Sequence, residues 1–468
     1  MTRDGLKILI AQAGPDSNRY PFRSHPLGLM SLAAYVEREI PGTSVDALDM
    51  KVSDARPGDI GRIAAERGAD IVGLSALTVH WEEMAEAARA ARAAVPGALI
   101  VAGGPHATCF SGRVLDSGLF DAAVLGEGEK PFLNIVRARM RGERPEGIPA
   151  VATPQRPVPD VPRDVLDDPD ALPFPAWNKI NLEAYRRRCS FSVMGRRNHM
   201  SLFTSRACPF ECAYCHNIFG HKFRPRSAHN VLAEIRAAHS LHGFSDFDIL
   251  DDVFNLRRSR VINICRGLID DGPKISMAFP NGLRGDLLDD ELLEIMREAG
   301  TTFISFAVET ASPRLQKKIH KNLNLDKLAA AIRKADSLGI FSNAYCMVGF
   351  PTETESELKS TIRFVAKSPV NIAHFLTVTP FEGTRLYEML DEETRARAAR
   401  APGDMRYEDR AFNLSDIPDS KFRRIIHLGL MRFYLNPFRA AKIILRHPQP
   451  KNLLAFARMA FNRIFING

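Results

Sequence analysis

The sequence predicts an α/β protein with two successive parallel-sheet domains. An amino-terminal doubly wound, Rossmann-like sheet spans residues 1–143, and a partial (β/α)6 barrel of the TIM type spans 198–400. A proline-rich linker (144–197) lies between them and a basic helical tail (401–468) follows. Three observations carry this. Short continuous Val/Ile/Leu runs alternate with amphipathic helical patterns in two separate series; nine prolines fall between residues 144 and 177; and the stretch from Lys421 to Gly468 holds ten Lys or Arg with no Asp or Glu.

In the first series the strand runs are "LKILIAQA", "SVDALDM", "ADIVGLSAL", "ALIVAGG" and "DAAVLGEGE", with helical patterns such as "LGLMSLAAYVERE" and "WEEMAEAARAARAAV" between them. Strands without polar alternation are buried on both faces, which is the mark of a parallel sheet covered by helices. The linker scatters Asp and Arg among its prolines with no sustained period. The second series runs through "MSLFTSRA", "FDILDDVF", "ISMAFPNGL", "TTFISFAVET", "FSNAYCMVGFP" and "IAHFLTVTPFEGT". The helical patterns between them end near Gly, and six such units with right-handed crossovers curl into a partial barrel.

At 45% apolar and 25% charged residues the chain is globular. Its formal charge of +8 is more than accounted for by the tail. The opening "MTRDGLKILIAQAG" suits a buried first strand better than a signal peptide, and no apolar run reaches the roughly 18 residues of a spanning helix. The expectation is a cytoplasmic protein with reduced cysteines. The tail mixes apolar residues at helical spacing with Arg and Lys, which has two readings: a peripheral membrane contact suited to a lipid substrate, or a helix packed on the barrel with its basic face solvated. No nucleic-acid-binding module is recognisable, so nucleic acid is not an expected partner.

Chemistry concentrates in "SRACPFECAYCHN", residues 205–217, where Cys208, Cys212 and Cys215 follow a strand directly. Barrel enzymes place their chemistry at that strand end. Three thiolates can hold three irons of a 4Fe-4S cluster and leave the fourth open to an exogenous ligand. Structural zinc and a redox pair are the other readings; zinc wants a fourth ligand, and His216, next to Cys215, is poorly placed to supply it. Cys109, Cys189, Cys265 and Cys346 are scattered, as packing cysteines are.

The Cys-x3-Cys-x2-Cys loop, with Tyr214 before its last Cys, resembles the radical S-adenosylmethionine (SAM) superfamily. The segments "ILDDVFNLRRSRVINICRGLI", "NGLRGDLLDDELLEIMREAG", "FAVETASPRLQKKIHKN", "MVGFPTETESE" and "TPFEGTRLY" resemble the strand ends of the branch with an amino-terminal cobalamin-binding domain. The resemblance implies that SAM chelates the open iron, that an electron from a donor such as flavodoxin or ferredoxin cleaves it, and that the resulting 5'-deoxyadenosyl radical takes hydrogen from a small-molecule or lipid substrate. It implies SAM contacts at Glu309 (ribose hydroxyls), Asp252 beside Asp251 (amino group), Asn281 and Arg284 (carboxylate), and Gly349 with Pro351 (adenine). The family's frequent Gly-x-Glu-Ser-Gly-Ser reads "AVETAS" here. Catalytic residues acting on the substrate carry no motif.

In the amino-terminal domain, Ser75 and Thr78 of "LSALTVH" and the pair Gly103-Gly104 resemble a cobalamin site, small enough for backbone to approach the corrin and its nucleotide tail. No Asp lies two positions before His25, His80 or His106, so the Asp-x-His-x-x-Gly source of a lower axial histidine is missing. "GEGEKP" has Pro131 where a dinucleotide fingerprint needs a third Gly. The resemblance implies methyl transfer to an unactivated carbon. Cyclisation, rearrangement or anaerobic oxygenation, as in the protoporphyrin ester cyclase relatives, shares the same motifs. A non-catalytic cobalamin or cluster sensor is a more remote reading.

Overall fold

The computed structural model describes residues 5–14, 22–156, 164–190, 198–216, 218–400 and 413–450, with Leu453 and Ala457. The chain divides into two compact units, Met1–Pro21 with His25–Arg188 and Phe22–Ser24 with Cys189–Gly468.

In the first unit the strands are β1 (Lys7–Gln12), β3 (Ser44–Asp49), β4 (Ile71–Ser75), β5 (Leu99–Gly103), β6 (Ala122–Val124) and β7 (Val151–Ala152); β2 (Phe22–Arg23) pairs with β8 (Cys189–Ser190) in the second unit. Their order is β3-β1-β4-β5-β6-β7, with all pairings parallel except the last. Alternation along each strand feeds two cores. Leu9, Ala11, Val72, Leu74 and Ile100 face the helices Ile60–Arg67 and Trp81–Ala94, while Ile8, Ile10, Ile71 and Val101 face Leu27–Glu39 and Glu129–Met140. This is the doubly wound sheet the apolar runs predict. The direction reverses between β1 and β4, so the carboxyl ends of these strands mark the ligand crevice.

The expected linker is part of this unit. Val151–Ala152 adds an antiparallel edge strand to β6, and residues up to Arg188 belong with the sheet. The prolines break periodicity without preventing pairing, because an edge strand needs its hydrogen bonds on one side only. Tyr185, near the end of the stretch, donates to buried Asp49 at 2.6 Å and stacks on His25.

The second unit carries six parallel strands in sequence order: β9 (His199–Leu202), β12 (Asp246–Ile249), β13 (Ser276–Leu283), β14 (Thr301–Glu309), β15 (Phe341–Val348) and β16 (Ile372–Thr377). A small antiparallel pair, β10 (Ser205–Arg206) and β11 (Arg224–Pro225), brackets the cysteine loop. At the floor of the barrel, Ala278, Phe303, Phe341 and Ile372 pack with Ile443 of the helix Pro437–Arg446.

Of the two readings of the tail, packing accounts for its first helix. Phe422, Ile426 and Leu430 of Asp419–Tyr434 are buried against Val348, Leu358 and Ile362, each such side chain contributing about 1.5–3 kcal/mol. Residues 401–412, where the expected start of the tail falls, lie outside the described residues.

Candidate functional site

The cysteine loop leaves β10, with Ala207 in the left-handed region (φ 70°), and returns at β11. Its entrance is fixed by Asp251, which accepts from the Thr204 N–H (2.6 Å), the Thr204 hydroxyl (2.6 Å) and the Ser205 hydroxyl (2.5 Å). Arg260 donates to the Thr204 carbonyl from the other side. The middle of the loop is held by backbone: Ala213 N–H to Ile319 O (2.9 Å), and Leu386 N–H to Ala213 O (2.7 Å). Tyr214 packs with Leu315, Ile319, Phe350 and Leu386, which carries the loop to three further strand-end segments.

The three thiols differ. Cys212 and Cys215 are hydrogen-bonded to each other, so Cys212 is brought down to about 6 while Cys215 is pushed up. Burial raises Cys208, against a lowering hydrogen bond from the Phe210 backbone. His216 is committed elsewhere, its Nε2 on the Glu382 carbonyl (2.9 Å) and its ring against Phe381. Among the described residues no three His, Cys, Asp or Glu converge closely enough to hold a single metal ion. Thiolates that each bind a different iron of a cluster need no such convergence, so the donor set fits 4Fe-4S.

Beside the thiols sits an ion pair. Glu309 ends β14 with φ 59° and lies opposite Cys346 of β15 across a register shift. A non-glycine residue in that region is held there by its surroundings, here in a form that turns its carboxylate to Lys321 Nζ at 3.3 Å. Burial opposes the Lys321 charge, but Glu309, Cys212 and Cys215 outweigh it and raise its pKa. The same surroundings push the buried Tyr214 hydroxyl far up, burial first and Glu309 next. Lys321 is a site residue that sequence reasoning missed; in "QKKIHKN" it is one of four basic residues, with nothing local to mark it as buried.

The other expected SAM contacts gather around this centre in different states. Asp252 lies open to solvent next to buried Asp251, and desolvation by the surrounding protein, then Asp251, raises its carboxyl to about 6. Asn281 spans to the end of β12, donating to the Leu250 and Asp251 carbonyls (both 3.2 Å). The Arg284 guanidinium pairs with Asp286 (2.9 Å), donates to Asn322 O (3.0 Å) and stacks 4.0 Å from the Phe210 ring, so it braces the cysteine loop. Gly349 (φ 82°) gives its N–H to Glu353 at 2.6 Å. Glu353 is fully buried with its carboxyl raised to about 7 by burial, and it shapes the turn that "GFPTE" forms.

In the first unit, Ser75 and Gly103 end neighbouring strands β4 and β5, with Thr78 and Gly104 just beyond them. Gly104 has φ 79°, and a Cβ there would lie 2.3 Å from Ser75 Oγ; at Gly103 an added Cβ would meet nothing within 4 Å. Gly104 allows a tight turn onto Ser75, and Gly103 leaves a bare backbone wall. Exposed Leu77 and Val79 stand beside it. A polar floor, bare backbone and apolar rim at the carboxyl ends of neighbouring parallel strands, β4 being one side of the switch point, suit a large planar ligand such as a corrin. His106 is not offered to it: buried between Trp81 and Phe110, its ring is lowered to about 4 by burial.

A sheet crevice of this kind and a barrel with a three-cysteine loop define an enzyme with two cofactor sites. Two family models match, the B12 binding domain over residues 17–136 and the Radical SAM superfamily over residues 202–365. The chain thus carries a B12 binding domain and a radical SAM domain, whose cofactors are cobalamin and a 4Fe-4S cluster with SAM. It is 28% identical over 457 residues to an uncharacterized methyltransferase of Pyrococcus horikoshii, covering 95% of this chain and 93% of the relative. It is 27% identical over 441 residues to the cytidylyl-2-hydroxyethylphosphonate methyltransferase of Streptomyces wedmorensis, covering 82% of each. The structure of the radical SAM methyltransferase TsrM from Kitasatospora setae, with cobalamin and a 4Fe-4S cluster bound, shares the fold: TM-score 0.68 at 19% identity, over 82% of this chain and 74% of that one. No described helix is long and apolar enough to cross a membrane.

Proposed function

We propose that the chain is a cobalamin-dependent radical SAM methyltransferase acting on an unactivated carbon of a small-molecule substrate. The observation that carries this is the Glu309–Lys321 pair beside a backbone-pinned three-cysteine loop, in a chain that also has the Ser75/Gly103-Gly104 crevice. When bound, the cluster with SAM supplies a 5'-deoxyadenosyl radical and cobalamin supplies a transferable methyl group. The protein's own residues position these groups. Cys208, Cys212 and Cys215 hold the irons, and Glu309 accepts from the ribose hydroxyls. Lys321, a cation beside the thiolates, is suited to SAM's carboxylate, with Asn281 alongside. Asp252 receives the amino group, and the Gly349 turn, fixed by Glu353, backs the adenine. An acidic donor of the flavodoxin or ferredoxin type reduces the cluster, and the basic tail makes a peripheral membrane contact.

Protein purified without oxygen and reconstituted with iron, sulfide and cobalamin is expected to retain cobalamin and, under reduction, to form both 5'-deoxyadenosine and S-adenosylhomocysteine from SAM. Formation of 5'-deoxyadenosine alone, with a turned-over substrate, would move the reading to cyclisation or rearrangement. Glu309→Ala should weaken SAM binding by roughly tenfold or more while iron content stays the same, because it removes a charged acceptor and leaves Lys321 unpaired. Unchanged SAM affinity in equilibrium dialysis removes that role.

A further inference from the structure

The two tail helices treat their apolar residues differently. In Asp419–Tyr434 the apolar face is spent on the barrel. In Pro437–Arg446 only one side is: Ile443 closes the barrel floor, Arg439 is buried on the Ala366 and Ser368 carbonyls, and Lys442 and Arg446 pair with Asp336. The other side bears Phe438 (86% exposed) and Leu445 (83%), with Ile444 and Leu435 (60% each) beside them. Phe438 and Leu445 stand seven positions apart and so share one face of the helix, with Leu435 just before its start. Scattered exposed apolar residues are ordinary, but four large ones within eleven positions form a contact surface.

We propose that this face docks the protein on an anionic lipid surface. The inference rests on the peripheral contact read from the basic tail and gives it residues and a direction. Charge selects the occupant: exposed Arg432 lies on the last turn of the preceding helix, the end that reaches the barrel floor, and no acidic residue occurs from Lys421 to Gly468. A second copy would bring the same positive field against itself, whereas anionic headgroups complement it. The helix is also rigidly mounted, since the Asp336 pairs and Ile443 hold its inner side. Because Ile443 packs on Phe341 and Ile372, the first residues of β15 and β16, the lipid-facing surface lies at the floor of the barrel. The cysteine loop lies at the opposite strand ends. Docking through this helix anchors the barrel by its floor and leaves the cluster end directed away from the bilayer, so the tail does not itself feed a lipid to the cluster.

The test is co-sedimentation of the full chain with phosphatidylcholine–phosphatidylglycerol vesicles and with pure phosphatidylcholine vesicles, at low and high salt. The wild-type chain should sediment with the anionic vesicles and be released by salt. The double variant Phe438→Ser/Leu445→Ser should partition roughly tenfold or more weakly, and a separate variant, Arg432→Glu, should weaken the preference for anionic lipid. Reductive SAM cleavage, measured on the same preparations, should be unchanged, which separates failure of docking from failure of the enzymatic reading. Absence of wild-type binding, binding indifferent to Phe438 and Leu445, or a wild-type dimer in ultracentrifugation that the double variant dissociates would each overturn the proposal.

Discussion

A chain in which Cys208, Cys212 and Cys215 are all replaced by Ala should fold normally and hold no cluster. Iron per chain and visible absorption of the reconstituted protein fall to background, and 5'-deoxyadenosine formation under reduction is lost. Each single replacement should lose SAM cleavage as well, because every thiolate holds a different iron. Folding survives because nothing that fixes the loop uses sulfur: Asp251 holds Thr204 and Ser205, backbone bonds tie Ala213 to Ile319 and Leu386, and Tyr214 fills a pocket between strand ends. The control is Cys265→Ala, buried within the helix Arg258–Asp271. It should lower the melting temperature without changing iron content. A triple variant that kept iron and SAM cleavage would sink the cluster assignment; circular dichroism decides whether a negative result reflects unfolding.

What was legible in the sequence was what depends on local pattern. The doubly wound sheet and the six barrel strands show in continuous apolar runs, since a strand buried on both faces needs no partner to be recognised. The cysteine loop shows because three thiols fall within eight residues of a chain whose other four are scattered. What depends on contacts between distant residues was hidden. Lys321 becomes a site residue because β14 ends in a left-handed Glu309 and the chain returns past it twelve residues later, a geometry no spacing announces. Glu353 is one of three glutamates in "PTETESE", yet it alone is fully buried and bonded to the Gly349 and Phe350 amides. The prolines hid an edge strand, and a tail open to two readings, packing or membrane contact, divides into a packed helix and a two-sided one.

The adjacent aspartates 251 and 252 should separate cleanly on substitution, in opposite senses. Asp251→Ala leaves the Thr204 amide and the Thr204 and Ser205 hydroxyls without their acceptor inside a fully buried strand end. Stranded buried donors together cost about 3–5 kcal/mol, less whatever the hydroxyls recover by rotating to other acceptors. The damage lies three residues before Cys208, so iron retention should fall with the melting temperature. Asp251→Asn keeps one accepting oxygen and should fall between. Asp252→Ala removes a carboxylate with no hydrogen-bonding duty of that kind, whose charge its surroundings and Asp251 oppose, so stability should hold or rise at neutral pH and iron content should hold, while SAM affinity drops. Melting temperature and iron retention read the first effect, and equilibrium SAM binding reads the second. If Asp252→Ala lost iron while Asp251→Ala kept it, the assignment of the inner carboxylate to the loop and the outer one to SAM would be reversed.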